Sequence, residues 1–116
     1  MVHRSIACGT DLIFMSTNHP SMKDAFNHLP DLTHSECNGL YNEYIREVVE
    51  TLKADKMPVI LVDNEDVWKK HLGANQDISL IDLLLPDAIH LSKAGHDLYA
   101  KTVESVVLPA VRDFLE

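Results

Sequence analysis

Residues 57–63 read MPVILVD, and this short stretch decides the fold class of the chain. Its centre is four consecutive apolar residues, three of them β-branched, and it ends at Asp63. An almost continuous β-branched run is typical of a strand that is buried on both faces, as in a parallel sheet covered by helices. The stretch therefore predicts an α/β fold.

A second strand and a long helix precede this stretch. Residues 11–16, DLIFMS, form another short apolar run and predict a buried strand. Residues 35–55 predict a helix that begins at Ser35 as its N-cap and is weakened by Gly39, which costs about 1 kcal/mol relative to alanine. Its apolar stripe recurs at spacings of three and four and consists of Leu40, Tyr44, Ile45, Val48, Val49 and Leu52.

Two connections and two further helices complete the pattern. Residues 17–35 form a long connection with one helical turn expected over 22–27, and residues 78–85 could be strand or helix. Residues 64–72 predict a short helix. Residues 92–116 predict the last helix, which Pro109 is expected to kink or divide in two.

This alternation predicts one domain over residues 1–116, a three-layer α/β/α arrangement around a parallel sheet. Two clear strands are few for such a sheet, so we expect the chain to be part of a larger domain.

Composition excludes several classes of partner. The net charge of −8 argues against nucleic acid, whose phosphates require a basic surface. No apolar run approaches the roughly 20 residues that span a bilayer, and residues 1–11 lack the long apolar segment that a signal peptide has. Cys8 and Cys37 are too few for a disulfide framework, so they predict partly buried, reduced thiols in a cytoplasmic protein.

A carboxylate and an imidazole stand three residues apart at Asp87 and His90, just after Pro86. A carboxylate bonded to the imidazole Nδ1–H fixes the tautomer, leaves Nε2 as a base and stabilises the imidazolium that forms. Imidazole titrates near neutral pH and can both accept and return a proton. Taken alone, this spacing also fits a surface pair or a helix cap.

The residues around this pair make a more specific pattern. Residues 80–111 resemble the last conserved block of the SGNH hydrolases, also called GDSL-type lipases and esterases. That block has an apolar segment, then D-x-x-H, then a Gly-His pair that opens the final helix. The matching residues here are Asp87, His90, Gly95, His96 and Ala100, and Pro109 within the last helix is also familiar from the family.

A weaker match lies after the first strand. The family carries a G-x-N-D motif whose asparagine donates a hydrogen bond into the oxyanion hole. The chain reads STNH over residues 16–19, so Asn18 keeps the amide while Ser16 and His19 replace the glycine and the aspartate. One such donor is worth about 3 kcal/mol of the barrier. The alternative for Asn18 is an ordinary turn residue after a strand.

The family's nucleophile has no counterpart in the chain. No G-D-S motif occurs, and CGTD at residues 8–11 lies directly against the first strand, with no room for the crossover that a parallel strand requires. The resemblance therefore implies an SGNH domain truncated at its N-terminus, lacking the first strands. Ser16 and Ser92 lie near the expected site, but neither belongs to an activating motif.

The resemblance implies a function and a division of roles. It implies an ester hydrolase that acts on a small ester substrate by a Ser-His-Asp mechanism, with the serine outside this chain. His90 would be the base, Asp87 would orient it, and Asn18 would stabilise the oxyanion. His96 would cap the last helix or support His90, and no metal or organic cofactor is required.

No H-E-x-x-H, H-x-x-x-H or paired C-x-x-C spacing suggests a metal site. The remaining histidines that we expect to be solvated are His3, His28, His34 and His71.

Two alternatives stay open. The chain could be a catalytically inactive, hydrolase-like domain that binds a partner, because missing strands would leave an open sheet edge that favours an oligomer or association with an N-terminal segment. It could also be a signalling module of flavodoxin-like shape, with Asp63 as the phosphoacceptor at the end of its strand.

Overall fold

The computed structural model of the chain describes residues 2–22 and 31–116, and within the first helix the side chains of residues 4–6 lie outside that description. The helical turn predicted over 22–27 falls almost entirely outside the described residues, as does His28. The elements, in chain order, are α1 (Val2–Ala7), β1 (Ile13–Ser16), α2 (His34–Ala54), β2 (Val59–Val62), α3 (Asn64–Ala74), a 3₁₀ helix (Leu80–Leu83) and α4 (Lys93–Leu115).

The two strands form a small parallel sheet. Ile13 lies opposite Val59 and Ser16 lies opposite Val62, with α2 as the crossover between the strands. The Thr17 N–H donates to the Val62 carbonyl at 3.0 Å, which continues the ladder one residue past β1. Both predicted strands and the mixed α/β class are therefore confirmed. The part of the chain that the structure describes contains no further strand in this sheet, so a three-layer sandwich is not seen.

Two apolar clusters hold the elements together. In the first, Val49 and Leu52 of α2 pack with Val59 of β2 and with Val2 of α1. The second is built around Trp68 of α3 with Leu83 and Leu84, against which Leu98 and Tyr99 of α4 are packed. The helix α1, which the sequence pattern did not predict, thus contributes a buried valine to the core.

The N-cap of the long helix α2 lies two residues before the predicted cap. Thr33 is its N-cap: the Thr33 hydroxyl accepts from the Glu36 N–H, and the Glu36 carboxylate accepts from the Thr33 N–H. This reciprocal capping box satisfies two donors at once, which a cap at Ser35 would not do. The prediction of Ser35 as the cap is wrong, since its hydroxyl instead donates to the Ser21 carbonyl at 2.6 Å.

The predicted apolar stripe of α2 is only partly buried. Leu40 and Tyr44 are 52% and 69% exposed, whereas Val49 and Leu52 are buried. The predicted division of the last helix at Pro109 is also not observed: α4 continues from Lys93 to Leu115. Residues 78–85 form neither a strand nor an α-helix, but the short 3₁₀ helix and one isolated bridge.

A closed turn connects the 3₁₀ helix to α4. Leu84 and Leu91 form an antiparallel bridge, and the Leu85 N–H donates to the His90 carbonyl at 2.7 Å. The Ser92 N–H donates to the Leu83 carbonyl at 3.0 Å, and Ser92 is the N-cap of α4. Residues 85–90 are therefore held at both ends by backbone hydrogen bonds.

Neither cysteine forms a disulfide: Cys37 is half-buried and Cys8 is exposed, which corrects the expectation that both are partly buried. Within the described residues, no helix is both long enough and apolar enough to cross a bilayer.

Substitution by alanine should change the free energy of unfolding in opposite directions at two glycines that lie in helices. A Cβ on Gly95 would lie 2.1 Å from the Leu83 carbonyl oxygen, so we expect Gly95→Ala to lower the free energy of unfolding by about 1–3 kcal/mol. A Cβ on Gly39 meets nothing within 4 Å, so Gly39→Ala should raise it by about 0.5–1 kcal/mol. Urea denaturation of both variants measures the two values. A Gly95→Ala protein as stable as the Gly39→Ala protein would contradict the close approach.

Candidate functional site

The candidate site lies where the strands end. Thr17 and Asn18 follow β1, and Asp63 follows β2. The carboxyl ends of parallel strands meet at one edge of a sheet, and ligands of open α/β sheets bind outside that edge.

Asp87 and His90 bond to each other within the closed turn. One carboxylate oxygen, Oδ2, accepts a hydrogen bond from His90 Nδ1. The other, Oδ1, accepts from the N–H groups of Ile89 at 2.9 Å and His90 at 3.0 Å. The side chains of Asp87 and His90 are 43% and 74% exposed. With its Nδ1–H donated to Asp87, the imidazole presents Nε2 as a base at an accessible surface.

The surroundings of Asp87 keep it ionised. The hydrogen bond from His90 and the two backbone N–H groups of Ile89 and His90 lower the Asp87 pKa from 3.8 to about 2. Hydrogen bonds to the charged form of a carboxyl favour that form. At neutral pH the group facing the imidazole is therefore a carboxylate, as an orienting role requires.

Asn18 has an exposed side chain on a fixed backbone. The Asn18 N–H donates to Asn42 Oδ1 at 2.7 Å, and Asn42 Nδ2 donates to the Asn18 carbonyl at 3.0 Å. Asn42 is fully buried, and its Nδ2 also donates to Glu65 Oε2 at 2.7 Å. The carboxamide of Asn42 thus holds both backbone polar groups of the residue predicted to donate to an oxyanion. Sequence reasoning missed Asn42, whose only signal was a polar residue on the inner face of an amphipathic helix.

The structure brings the segment that follows Asn18 against the turn that carries Asp87 and His90. Nε2 of His19 lies 2.8 Å from the Ile89 carbonyl oxygen, and the Met22 N–H donates to the Ala88 carbonyl at 2.9 Å. The segment of Asn18 and the turn of Asp87 and His90 are therefore adjacent.

The other predicted histidines have ordinary surroundings. His96 is exposed on α4 and does not cap that helix, because the Ser92 hydroxyl accepts from the Gly95 N–H and takes the N-cap position. His34 and His71 are half-buried rather than solvated, whereas His3 is exposed.

One of the described serines, Ser21, pairs with a histidine in a way that the sequence did not predict. Ser21 Oγ lies 3.0 Å from His34 Nδ1, a pairing that joins the start of α2 to the segment after β1. The two candidate nucleophiles differ: Ser16 is exposed at the end of β1, while the Ser92 hydroxyl donates to the Asp82 carbonyl at 2.9 Å and caps α4. Ser92 therefore has a structural role that competes with use as a nucleophile.

Asp63 is engaged in an ion-pair network. Its two oxygens accept from Arg46 Nε and Nη2 at 2.8 Å each, from the Thr17 hydroxyl at 3.0 Å and from the Asp66 N–H at 3.1 Å. The hydrogen bond from Arg46 is the largest of the effects that lower the Asp63 pKa. An aspartate that caps α3 and binds a guanidinium with both oxygens has a structural role, which disfavours the phosphoacceptor hypothesis.

Among residues 2–22 and 31–116, no group of three or more histidine, cysteine or acidic side chains is arranged to hold a metal ion. Comparisons with protein-family models, with curated proteins and with solved structures find no match to this chain. Its functional interpretation therefore depends on its own residues and on the resemblance of its motifs.

The Asp87 carboxyl should titrate at about pH 2 in the folded protein, which ¹³C NMR of its side-chain carbon measures. Since this folded-state pKa lies below the ordinary 3.8, the stability that the pair contributes is complete above pH 3.8 and is lost as the pH falls through about 2. His90→Ala removes the main cause and should move the Asp87 pKa back toward 3.8. An Asp87 pKa that is the same in both proteins would contradict the bond between them.

Proposed function

We propose that the chain is the C-terminal part of an SGNH-type ester hydrolase. The observation that carries the proposal is the Asp87–His90 hydrogen bond on a turn that adjoins the Asn18 segment, beyond the carboxyl end of a parallel sheet. A Ser-His-Asp mechanism needs an oriented imidazole base with an oxyanion donor near it, and the resemblance of residues 80–111 supports this assignment of Asp87 and His90.

In the proposed reaction, His90 Nε2 takes the proton from a serine hydroxyl while the serine oxygen bonds to the ester carbonyl carbon. The carbonyl electron pair moves onto oxygen, where the Asn18 amide donates a hydrogen bond to the oxyanion. Collapse of this intermediate breaks the bond to the alcohol, which leaves with the proton from His90. Water then repeats both steps and releases the acid and the serine. The Asp87 carboxylate stabilises the imidazolium in each half-reaction.

The serine of this proposal comes from outside the 116 residues, on a G-D-S segment that would pair with the sheet. The free edge of β1 supports such an addition, since the described residues place no strand there. With the added strands, the sheet would become the core of a three-layer α/β/α domain. No metal or organic cofactor enters the reaction, and the substrate is a small ester.

Hydrolysis of p-nitrophenyl acetate tests the proposal, on the 116-residue chain and on the chain extended upstream through the G-D-S segment. We expect activity only in the extended form. There His90→Ala should lower kcat about 10³-fold or more, and Asn18→Ala about 10²–10³-fold. His3→Ala is the control, because it removes an exposed imidazole on α1 that has no part in the proposed site, and it should retain full activity.

An extended form that hydrolyses the ester equally well with His90→Ala would overturn the proposal. A fluorophosphonate probe identifies the nucleophile independently of turnover. Labelling of the G-D-S serine is expected, whereas a covalent adduct on Ser16, Ser21 or Ser92 would contradict an external serine.

A second candidate function is a binding domain that pairs with a copy of itself through the edges of β1. The chain exposes 7853 Å², whereas a folded monomer of 13.1 kDa exposes about 6,400 Å². The difference is larger than the roughly 800 Å² that each partner buries in an interface of standard size. The radius of gyration, 16.0 Å, likewise exceeds the value of about 13.4 Å for a compact chain of this length.

Sedimentation equilibrium of the 116-residue chain distinguishes this candidate. A dimer should form and should tighten between about 50 mM and 500 mM salt, because screening weakens the repulsion between two chains of net charge −8. Replacement of Phe14 in the middle of β1 by lysine should abolish the dimer. A monomer at every salt concentration would exclude the self-pairing function.

A further inference from the structure

His19 joins two parts of the molecule that are far apart in the sequence. Its Nε2 lies 2.8 Å from the carbonyl oxygen of Ile89, the residue immediately before His90. Because a carbonyl oxygen can only accept, the hydrogen must be carried by Nε2 of His19. The residue beside Asn18 thus donates to the backbone of the turn that presents the candidate base.

The imidazole of His19 packs against a completely buried tryptophan. Its ring centroid lies 5.4 Å from that of Trp68, with a tilt of 33° between the planes, and Trp68 is completely buried on α3. The carbonyl of His19 accepts from Asn38 Nδ2 of α2 at 2.8 Å. The ring of His19 is thus fixed by α3 and its backbone by α2. The residue can therefore hold the turn at a fixed position relative to the core.

The turn needs such support. Asp87 and His90 are exposed, and Ala88 between them has a φ of 61°, a left-handed conformation that costs a residue with a Cβ about 1–2 kcal/mol. Backbone in a sparsely populated conformation persists only where its surroundings fix it. Among residues 2–22 and 31–116, two bonds reach the turn from outside it, one from His19 to the Ile89 carbonyl and one from the Met22 N–H to the Ala88 carbonyl.

We infer that His19 is a positioning residue, which locks the turn of residues 85–90 in register with the Asn18 segment through its Nε2–H bond to Ile89. Its catalytic meaning rests on the proposed function, whereas the mechanical coupling does not. At this position the family pattern has an aspartate, which lacks a donor when ionised, so the coupling belongs to the histidine of this chain.

A pair of substitutions separates the hydrogen bond from the ring contact. His19→Gln keeps an amide donor of similar reach and loses the ring, while His19→Phe keeps the ring against Trp68 and loses the donor. In the 116-residue chain, solvent exchange of the Ile89 and His90 amides, which are bonded to Asp87, is measured by NMR. We expect His19→Phe to raise both rates about five- to tenfold, as loss of one hydrogen bond predicts, and His19→Gln to leave them nearly unchanged.

Two further readouts exclude a merely structural role. Amide exchange in β2 should be unchanged in both variants, and the Asp87 pKa should rise from about 2 toward 3.8 in His19→Phe alone. Acceleration in β2 by the same factor as in the turn would overturn the inference, because it would report global destabilisation. Equal exchange in the two variants would also overturn it, because the ring and the donor would then not differ in effect.

The outcome is independent of ester hydrolysis. If His19→Phe loosens the turn while the His90 and Asn18 variants leave hydrolysis unchanged, the coupling stands and the proposed function fails. If those variants abolish hydrolysis while His19→Phe leaves the turn unchanged, the proposed function stands and the positioning role of His19 fails.

Discussion

Most of the buried polar groups at the carboxyl end of the two strands bind one another or nearby backbone, and much of the remaining structure follows from how they do so. The carboxamide of Asn42 is completely buried and satisfies the N–H and the carbonyl of Asn18. Thr17, also buried, donates to Asp63 and accepts from the Glu65 N–H. An unpaired buried group of this kind costs about 1–3 kcal/mol, so the network tolerates few alternative arrangements.

This network links α2 and α3 through charge as well as through neutral groups. Arg46 of α2 binds Asp63 and Glu65 at the start of α3, with donor–acceptor distances of 2.8 and 3.0 Å. Asp63 also caps α3, where a negative charge is favoured by the helix dipole. The segment after β1 therefore lies between α2 and α3, whose relative position these bonds fix. For this reason Asn18 has a defined backbone next to the Asp87–His90 turn although its side chain is exposed.

The small size of the sheet explains the unusual surface. Two strands of four residues each cannot bury the apolar faces of two long helices, so Leu40 and Tyr44 of α2 and Leu108 and Phe114 of α4 remain exposed. Parallel sheets are stable when both faces and both edges are covered. An added strand at β1, whether from an upstream segment or from a second copy, would supply what the two strands lack.

Local patterns identified the strands and the longer helices, but neither α1 nor the residue at which α2 begins. The β-branched run at 57–63 and the stripe of α2 correctly predicted β2 and a long helix. The cap was misplaced at Ser35 because serine and threonine are both good N-caps, and only Thr33 has a partner at the third helical position, Glu36. The buried side of α2 likewise could not be located fully, because an apolar stripe does not tell how far the neighbouring sheet extends.

In the candidate site, too, the local contacts could be predicted from the sequence and the long-range contacts could not. Asp87 and His90 could be predicted from the sequence because their hydrogen bonds are local and depend on a three-residue spacing. The contacts of Asn42 and His19 could not be predicted, since their partners lie 24 and 70 residues away and no local pattern specifies such a pairing. The sequence alone determined the two strands, the three longer helices α2, α3 and α4, and the pairing of Asp87 with His90, because these depend on periodicity and short-range chemistry. Only the tertiary structure decided which backbone groups the side chains of Asn42 and His19 bind, because these hydrogen bonds form when distant segments pack together.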